Sequence, residues 1–219
     1  MIDVIRLSED VGQTKLLDTI NTLNHDYTID SIFCQLPLPE GYDYDEQEVC
    51  EKIYYKKDVD VFNPYNIGQV LLGDSKLYPC TPDGVISLLD AYKIDVTGKH
   101  CVIIGRSNIV GKPMAMMLLE RNATVTICHS KTDDLKHFTE HADVIVSAAG
   151  KPNLITADMI KEGAVIIDVA INRDENGKLC GDVDFDNVKD KAGWITPVPG
   201  GCGLTTRAML LKNILITAS

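Results

Sequence analysis

The sequence predicts an α/β protein with two lobes, the larger one built on a parallel sheet. Three observations predict it. From Lys99 onward, five compact runs rich in β-branched residues alternate with helical stretches. The runs are apolar throughout, as in strands covered on both faces. The stretch CVIIGRSNIVGKPM, Cys101 to Met114, reads as a buried strand, a glycine turn and a helix start.

Taken in order, DVIRL (Asp3 to Leu7) is expected to be a strand, TKLLDTINTL (Thr14 to Leu23) an amphipathic helix, and SIFCQLPL (Ser31 to Leu38) a second strand stopped by prolines. A helix is expected over Asp45 to Ile53. In CTPDGVISLLDAYKI, Thr81 can cap a helix and Pro82 suits its first turn. The strands of the larger lobe are His100 to Gly105, Ala123 to Cys128, Asp143 to Gly150, Ala164 to Ile171 and Gly193 to Val198. LTTRAMLLKNILITA is a last helix. The boundary falls near Tyr92, giving a lobe over 1–91, a parallel-sheet domain over 92–203, and a C-terminal helix, 204–219, packing back on the first lobe.

Composition excludes several partners. A net charge of −11 and an isoelectric point near 4.8 argue against nucleic acid or an anionic membrane, since both demand a basic surface. The longest apolar runs are strand-sized, and no secretory signal is visible, so the cytoplasm is the expected location. The seven cysteines show no C-x-x-C spacing and are read as reduced thiols. HFTEH, His137 to His141, fits an inverted zinc-peptidase pattern but lies in a short polar helix, so it is read as a solvated face and no metal is expected. Asp182 and Asp184 in GDVDFD are read as loop and capping residues, and Lys56 and Lys57 as surface charges.

The glycine turn lacks the middle glycine of G-x-G-x-x-G, and Ser107 stands in its place. Gly105 can turn the strand and Gly111 can pack helix on strand, with helix N-terminal amides facing a phosphate. Alone, the pattern fits a ligand-free turn as well as a Rossmann-type nucleotide lobe. The second strand tips the reading: it ends in His129, Ser130, Lys131 and Thr132, with no carboxylate until Asp133. Together with Arg106, these residues suit NADP over NAD.

CQLPLPE, KKDVDVFNPYNIG, PCTPDG, IIGRSNIVGKPM, ATVTICHSKT, GDVDFD and ITPVPGGCG occur in an order and spacing that resemble the methylenetetrahydrofolate dehydrogenase/cyclohydrolase family, of the bacterial FolD type. The resemblance implies NADP-dependent oxidation of 5,10-methylenetetrahydrofolate and cyclohydrolase action on the product, in one-carbon metabolism and purine biosynthesis, by a cytoplasmic homodimer. It implies that Gly105, Arg106, Ser107, Ser130 and Ile171 contact the cofactor. It also implies that Cys34, Gln35, Leu36, Asp60, Pro199, Gly200 and Gly201 face the folate, with Gln35 and Asp60 acting in catalysis. The family's Tyr-x-x-x-Lys segment would precede Met1, so the substrate lobe is expected to be truncated and the cyclohydrolase step to lack its lysine. The alternative is a truncated, non-catalytic homologue that binds nucleotide or a full-length partner. Val61 and Ala170 stand where the family has glycine. If position 61 takes a positive φ, valine there is strained.

Overall fold

The computed structural model describes residues 2–219. Helices α1 (Gln13–His25), α2 (Glu46–Lys52), α3 (Pro64–Leu72) and α4 (Cys80–Ala91) come first. The larger lobe then runs β1 (His100–Ile104), α5 (Gly111–Glu120), β2 (Thr124–Cys128), α6 (Leu135–Thr139), β3 (Val144–Ser147), a 3-10 turn (Ala157–Met159) and β4 (Val165–Asp168). It closes with the small hairpin β5 (Asn172–Arg173) and β6 (Leu179–Cys180), then α7 (Phe185–Val188), β7 (Trp194–Ile195) and α8 (Cys202–Thr217).

The sheet order is β2-β1-β3-β4-β7, with every neighbouring pair parallel. Parallel neighbours need long crossovers, and α5, α6, the 3-10 turn and α7 supply them. Side chains alternate between the two faces. Cys101, Ile103, Val144 and Val146 join the core formed with Val85, Leu89, Met114 and Leu118 of α4 and α5. Val102, Ile104 and Ile145 point the other way, to Ile155, Ile160 and Val188. Both faces are covered, which is why these strands carry no polar alternation.

The smaller lobe departs from the sequence reading. Asp3 to Leu7 is not a strand: it has no pairing partner among the described residues, and Ile2 and Val4 are 79% and 73% exposed. An isolated strand gains no ladder hydrogen bonds, so alternating apolar residues alone do not make one. Ser31 to Leu38 keeps only a bridge from Ile32 to Asp58, and Pro37 and Pro39 remove donors further on. Helix α2 follows expectation, with the Asp45 side chain accepting from Glu48 N at 3.1 Å. Helix α4 starts one residue before Thr81, with Pro79 at its cap position. The Thr81 hydroxyl instead accepts from Thr206 of α8 at 3.2 Å.

Lys57 is not a surface charge. It is half-buried, and its Nζ donates to the carbonyls of Leu23 (3.0 Å), Asn24 (3.0 Å) and Asp26 (2.7 Å). The last carbonyls of a helix lack intrahelical partners and form its negative pole, so a lysine reaching them from outside acts as a cap. Lys56 is exposed, as expected, with Nζ 6.0 Å from the Tyr55 ring centre. Lys57→Ala is expected to lower the unfolding free energy by about 1–3 kcal/mol. Lys56→Ala should change it by less than about 0.5 kcal/mol. Urea unfolding of both variants measures the contrast, and equal midpoints would show that the cap contributes nothing.

Candidate active site

The strand order reverses between β1 and β3, since β1 leads to β2 on one side and β3 lies on the other. Open α/β sheets bind ligands outside the carboxyl ends of strands at such a point. Ala148 N donates to Ile104 O at 2.7 Å, and Gly105 N to Cys128 O at 2.8 Å, so three strand ends meet there. Gly105 has φ 127°, and a Cβ on it would lie 2.9 Å from the Ala148 carbonyl carbon. A Cβ on Gly111 would lie 2.6 Å from the carbonyl carbon of Gly105. Only glycine permits this packing of strand, loop and helix.

Ser107 has a role the sequence did not show. Its Oγ accepts from Val110 N (3.1 Å) and Gly111 N (3.3 Å), and its carbonyl from Lys112 N (3.0 Å). Pro113 has no N–H, and Met114 N donates to Val110 O at 2.9 Å. The amides at the start of α5, expected to face a phosphate, are therefore already engaged. The hydroxyl that replaces the middle glycine's hydrogen has folded the loop onto itself. Among the described residues the N–H groups of 106–109 have no acceptor, and the Arg106 side chain is exposed, so these are the donors left open at this edge.

Ile104 pairs with Cys128, and Arg106 and Ser130 each lie two residues further on, both exposed on the same edge. The turn after β2 is held by His129 N donating to Thr132 Oγ1 at 2.9 Å and Lys131 N to His129 Nδ1 at 3.1 Å. Ile171, 67% exposed, lies three residues past β4. The topology thus gathers Gly105, Arg106, Ser107, Ser130 and Ile171 along the carboxyl edge of one sheet.

The second group lies in the smaller lobe. Ile32 pairs in parallel with Asp58, so Cys34 and Asp60, two residues on, run side by side. Burial, and after it the Asp60 charge, pushes the Cys34 thiol up. Burial and the neighbouring Asp58 push Asp60 itself up to about 7, while contact with the Cys80 thiol pulls the other way. Asp58 is buried and accepts from Val61 N (3.0 Å), Asn63 N (2.8 Å) and Asn66 Nδ2 (3.0 Å). Val61 has φ 63° and is fully buried, so the strain expected at this position is present. A β-branched residue there costs about 1–3 kcal/mol, and the Asp58 bond and the surrounding core hold it in place. From α8, Asn213 donates to Val59 O and Tyr78 O, both at 2.9 Å.

Gln35 is exposed and donates to the carbonyl of the partly buried Leu36 at 2.9 Å. Pro199 and Gly200 are exposed, and Gly201 partly so, on the segment between β7 and α8. The two glycines line an apolar groove of about 280 Å³ with Tyr92, Trp194 and Leu204. A concavity of about 400 Å³ around Asn24, Glu51, Tyr55 and Asn63 contains none of the expected site residues.

Sequence reasoning missed Asp58, Asp168 and Asn213, all polar and almost fully buried. A charge closing the apolar run AVIID was the available signal for Asp168. His137 lies in α6 and His141 beyond its end, so the two do not share a helix face. Among the described residues, no group of three or more His, Cys, Asp or Glu could hold a metal.

A parallel sheet with a glycine-packed switch point and an acid-free second strand end defines a dinucleotide-binding α/β protein, here with a smaller lobe packed beside it. Family models sharpen this: the tetrahydrofolate dehydrogenase/cyclohydrolase catalytic domain matches residues 1–60, and the NAD(P)-binding domain of the same family matches residues 79–219. The bifunctional protein FolD of Variovorax paradoxus is 57% identical over 209 residues, covering 95% of this chain and 73% of that protein. The crystal structure of the Campylobacter jejuni FolD dehydrogenase/cyclohydrolase superposes with a TM-score of 0.93 at 53% identity, covering 97% of this chain and 75% of that one. The Trypanosoma brucei enzyme, solved with NADP and an inhibitor, gives 0.90 at 38% identity, covering 97% and 74%. The chain belongs to the tetrahydrofolate dehydrogenase/cyclohydrolase family.

Ser107→Ala leaves Val110 N and Gly111 N without their acceptor. The expected loss is about 0.5–2 kcal/mol of stability, the range for a removed helix cap. Thermal unfolding reads it, and a variant as stable as the parent would mean that the loop does not depend on this hydroxyl.

Proposed function

We propose that the chain oxidises 5,10-methylenetetrahydrofolate to 5,10-methenyltetrahydrofolate with NADP, the folate held by the lobe over 1–91 and the cofactor by 92–203. The observation that carries the reading is the carboxyl edge of the sheet. Gly105 keeps it free of side chain at the switch point, Arg106 and Ser130 stand exposed at matching positions beyond β1 and β2, and no carboxylate ends β2 to repel a 2′-phosphate. These residues fit NADP. The family models match 1–60 to the catalytic domain and 79–219 to the NAD(P)-binding domain, so they count 79–91 and the C-terminal helix with the second domain.

Bound NADP supplies the electron-pair acceptor, so that the methylene carbon is oxidised and NADPH is formed. The chain's own residues hold and orient. In this reading Asp60 accepts from the amino and ring N–H edge of the pterin, Gln35 and Leu36 border the ring, Ile171 offers an apolar surface to the nicotinamide, and 199–201 closes over the pocket. Hydrolysis of the methenyl product, the second activity in the relatives' names, needs a base for water. Gln35 is neutral across physiological pH, and Lys57 is committed to three carbonyls at the end of α1 and just past it. Neither is that base. We place the activity in one-carbon supply for purine biosynthesis, in the cytoplasm, in a homodimer joined through the nucleotide lobe; this rests on family likeness.

Arg106→Ala is expected to weaken NADP binding by about 1.5–3 kcal/mol, one charge-assisted contact, and to leave NAD nearly unchanged. Titration with both cofactors measures it, and equal losses would sink the assignment of Arg106.

Asp60 must be ionised to accept from the pterin, and its carboxyl is held near 7. With the protonated form increasing as pH falls, kcat/KM should drop by about tenfold per pH unit below that value. NADPH absorbance followed from pH 5.5 to 8.5 tests this. Asp60→Asn should abolish the acid limb, and a limb that persists unchanged in that variant would assign it to another group.

A further inference from the structure

Asp182 lies beneath the cofactor edge with no exposed surface. Its Oδ2 accepts from Ser147 Oγ (2.8 Å) and Ala149 N (2.7 Å), and its Oδ1 from Lys151 N (2.7 Å) and Asn172 Nδ2 (2.9 Å). Ser147 ends β3, Ala149 and Lys151 follow Ala148, the residue against which Gly105 packs, and Asn172 follows Ile171. A single carboxylate thus ties the segment after β3 to the segment after β4.

The anchor is itself fixed. Ile155 N donates to Asp182 O at 3.1 Å, Asp184 N donates to Ile155 O at 2.9 Å, and Ile155 bridges Val183. Beside it the buried Asp168 accepts from Ala170 N (3.1 Å) and Val183 N (2.8 Å), and its own N–H donates to Thr196 Oγ1 (2.8 Å) on the approach to 199–201. Among the described residues, neither carboxylate has a Lys, Arg or His partner within 4.0 Å. Two buried acids without a cation are costly, and stability alone is served as well by apolar residues. What the acids do supply is a set of acceptors that fixes several loops of the ligand-facing edge relative to one another.

We propose that Asp182 is a positioning residue for the dehydrogenation, setting the place of 149–151 against 171–172 and so the alignment of the nicotinamide with the methylene carbon. This rests on the dehydrogenase reading above. An amide at 182 would keep one accepting oxygen and turn an NH2 toward two donors, so part of the tie is lost and the two segments can shift. A misplacement of about 1 Å can cost about 100-fold in rate without much change in binding.

The test compares the parent chain with Asp182→Asn and with Asn172→Ala, which removes one donor and leaves the carboxylate in place. Calorimetric titration gives the NADP Kd. Steady-state kinetics give kcat and KM for methylenetetrahydrofolate, and substrate deuterated at the methylene carbon gives the isotope effect on kcat. The expected result for Asp182→Asn is a kcat lower by about 30- to 100-fold, Kd and KM within about threefold of the parent, and an isotope effect rising towards its full value as the transfer becomes rate-limiting. Asn172→Ala should show the same pattern at about a tenfold loss, and carries the test if Asp182→Asn does not fold. An active parent with kcat unchanged in the variants, or with kcat falling only in step with NADP affinity and folded fraction at constant isotope effect, would overturn this inference alone. A parent chain that binds NADP but oxidises no methylenetetrahydrofolate would overturn it together with the functional reading on which it rests.

Discussion

The contact on which the ligand-facing side of this molecule depends is between the ends of β1 and β3. There Gly105 lies against the Ala148 carbonyl, closer than any Cβ would allow. With Ile104 in register with Ser147 and Cys128, a larger residue at 105 would force β1 away from its neighbours at the point where the strand order reverses. The same closeness brings α5 down onto the loop through Gly111. Once the helix is so near, its first amides need partners within the loop, and Ser107 supplies them. The missing middle glycine is therefore a second way of closing the same turn. One loop keeps its amides free for phosphate, whereas this one uses those at the helix start for its own rigidity and leaves open only the amides of 106–109.

The acids Asp58 and Asp182 differ from Asp60 in what faces them. Asp58 and Asp182 have three and four donors within 3.0 Å, drawn from loops that the chain needs in fixed positions. They act as clamps; burial still pushes the Asp58 carboxyl up, with the Asn63, Asn66 and Val61 donors pulling against it. Asp60 stands apart: burial and the Asp58 charge raise it to about 7, and only the Cys80 thiol among side chains is found to pull it down. A carboxylate desolvated and left short of donors is ready to accept them from a ligand. The contrast is local, because Asp58 and Asp60 are separated by a single residue. The clamp beside it also fixes the strained Val61, so the free acid sits on a backbone with little room to move.

The larger lobe was legible in the sequence because its signals are local and redundant. All five expected strands form, trimmed at their ends, since an apolar β-branched run between helices has little alternative once both faces are covered. The smaller lobe was less legible. DVIRL and SIFCQLPL have strand composition, but a strand exists only where another backbone pairs with it, and composition does not say whether one will. The resemblance marked out residues of which five lie along one sheet edge, Cys34 lies beside Asp60, and Gly200 and Gly201 line a groove with Trp194, while their supports went unseen. Lys57 caps a helix more than thirty residues earlier in the chain, and the two best-supported acids, Asp58 and Asp182, reach as far as 8 and 35 positions. Such pairings follow from topology rather than from spacing. Ser107 could be placed in the loop by sequence, but not its acceptance of two amides, which depends on how closely the helix start folds back.

Helix α8 joins the two ligand-facing regions. It begins at Cys202, directly after Gly201, on the segment whose approach is tied through Thr196 to Asp168. Further along, Lys212 pairs with the buried Asp83 at 2.9 Å, Asn213 holds the carbonyls of Val59 and Tyr78, and Thr217 meets Ser31 at 2.5 Å. From Cys202 to Asn213 a helix rises about 16 Å, so one element carries the 199–201 loop at one end and the backbone next to Asp60 near the other. The rate of a transfer between two bound molecules depends on their mutual placement more than on the strength with which either is held. A flexible connection would let each half bind well and still leave the reacting atoms misaligned. Here the polar network around Asp168 and Asp182 sets one end, the Asn213 amide sets the other, and the helix between them fixes the two regions against each other.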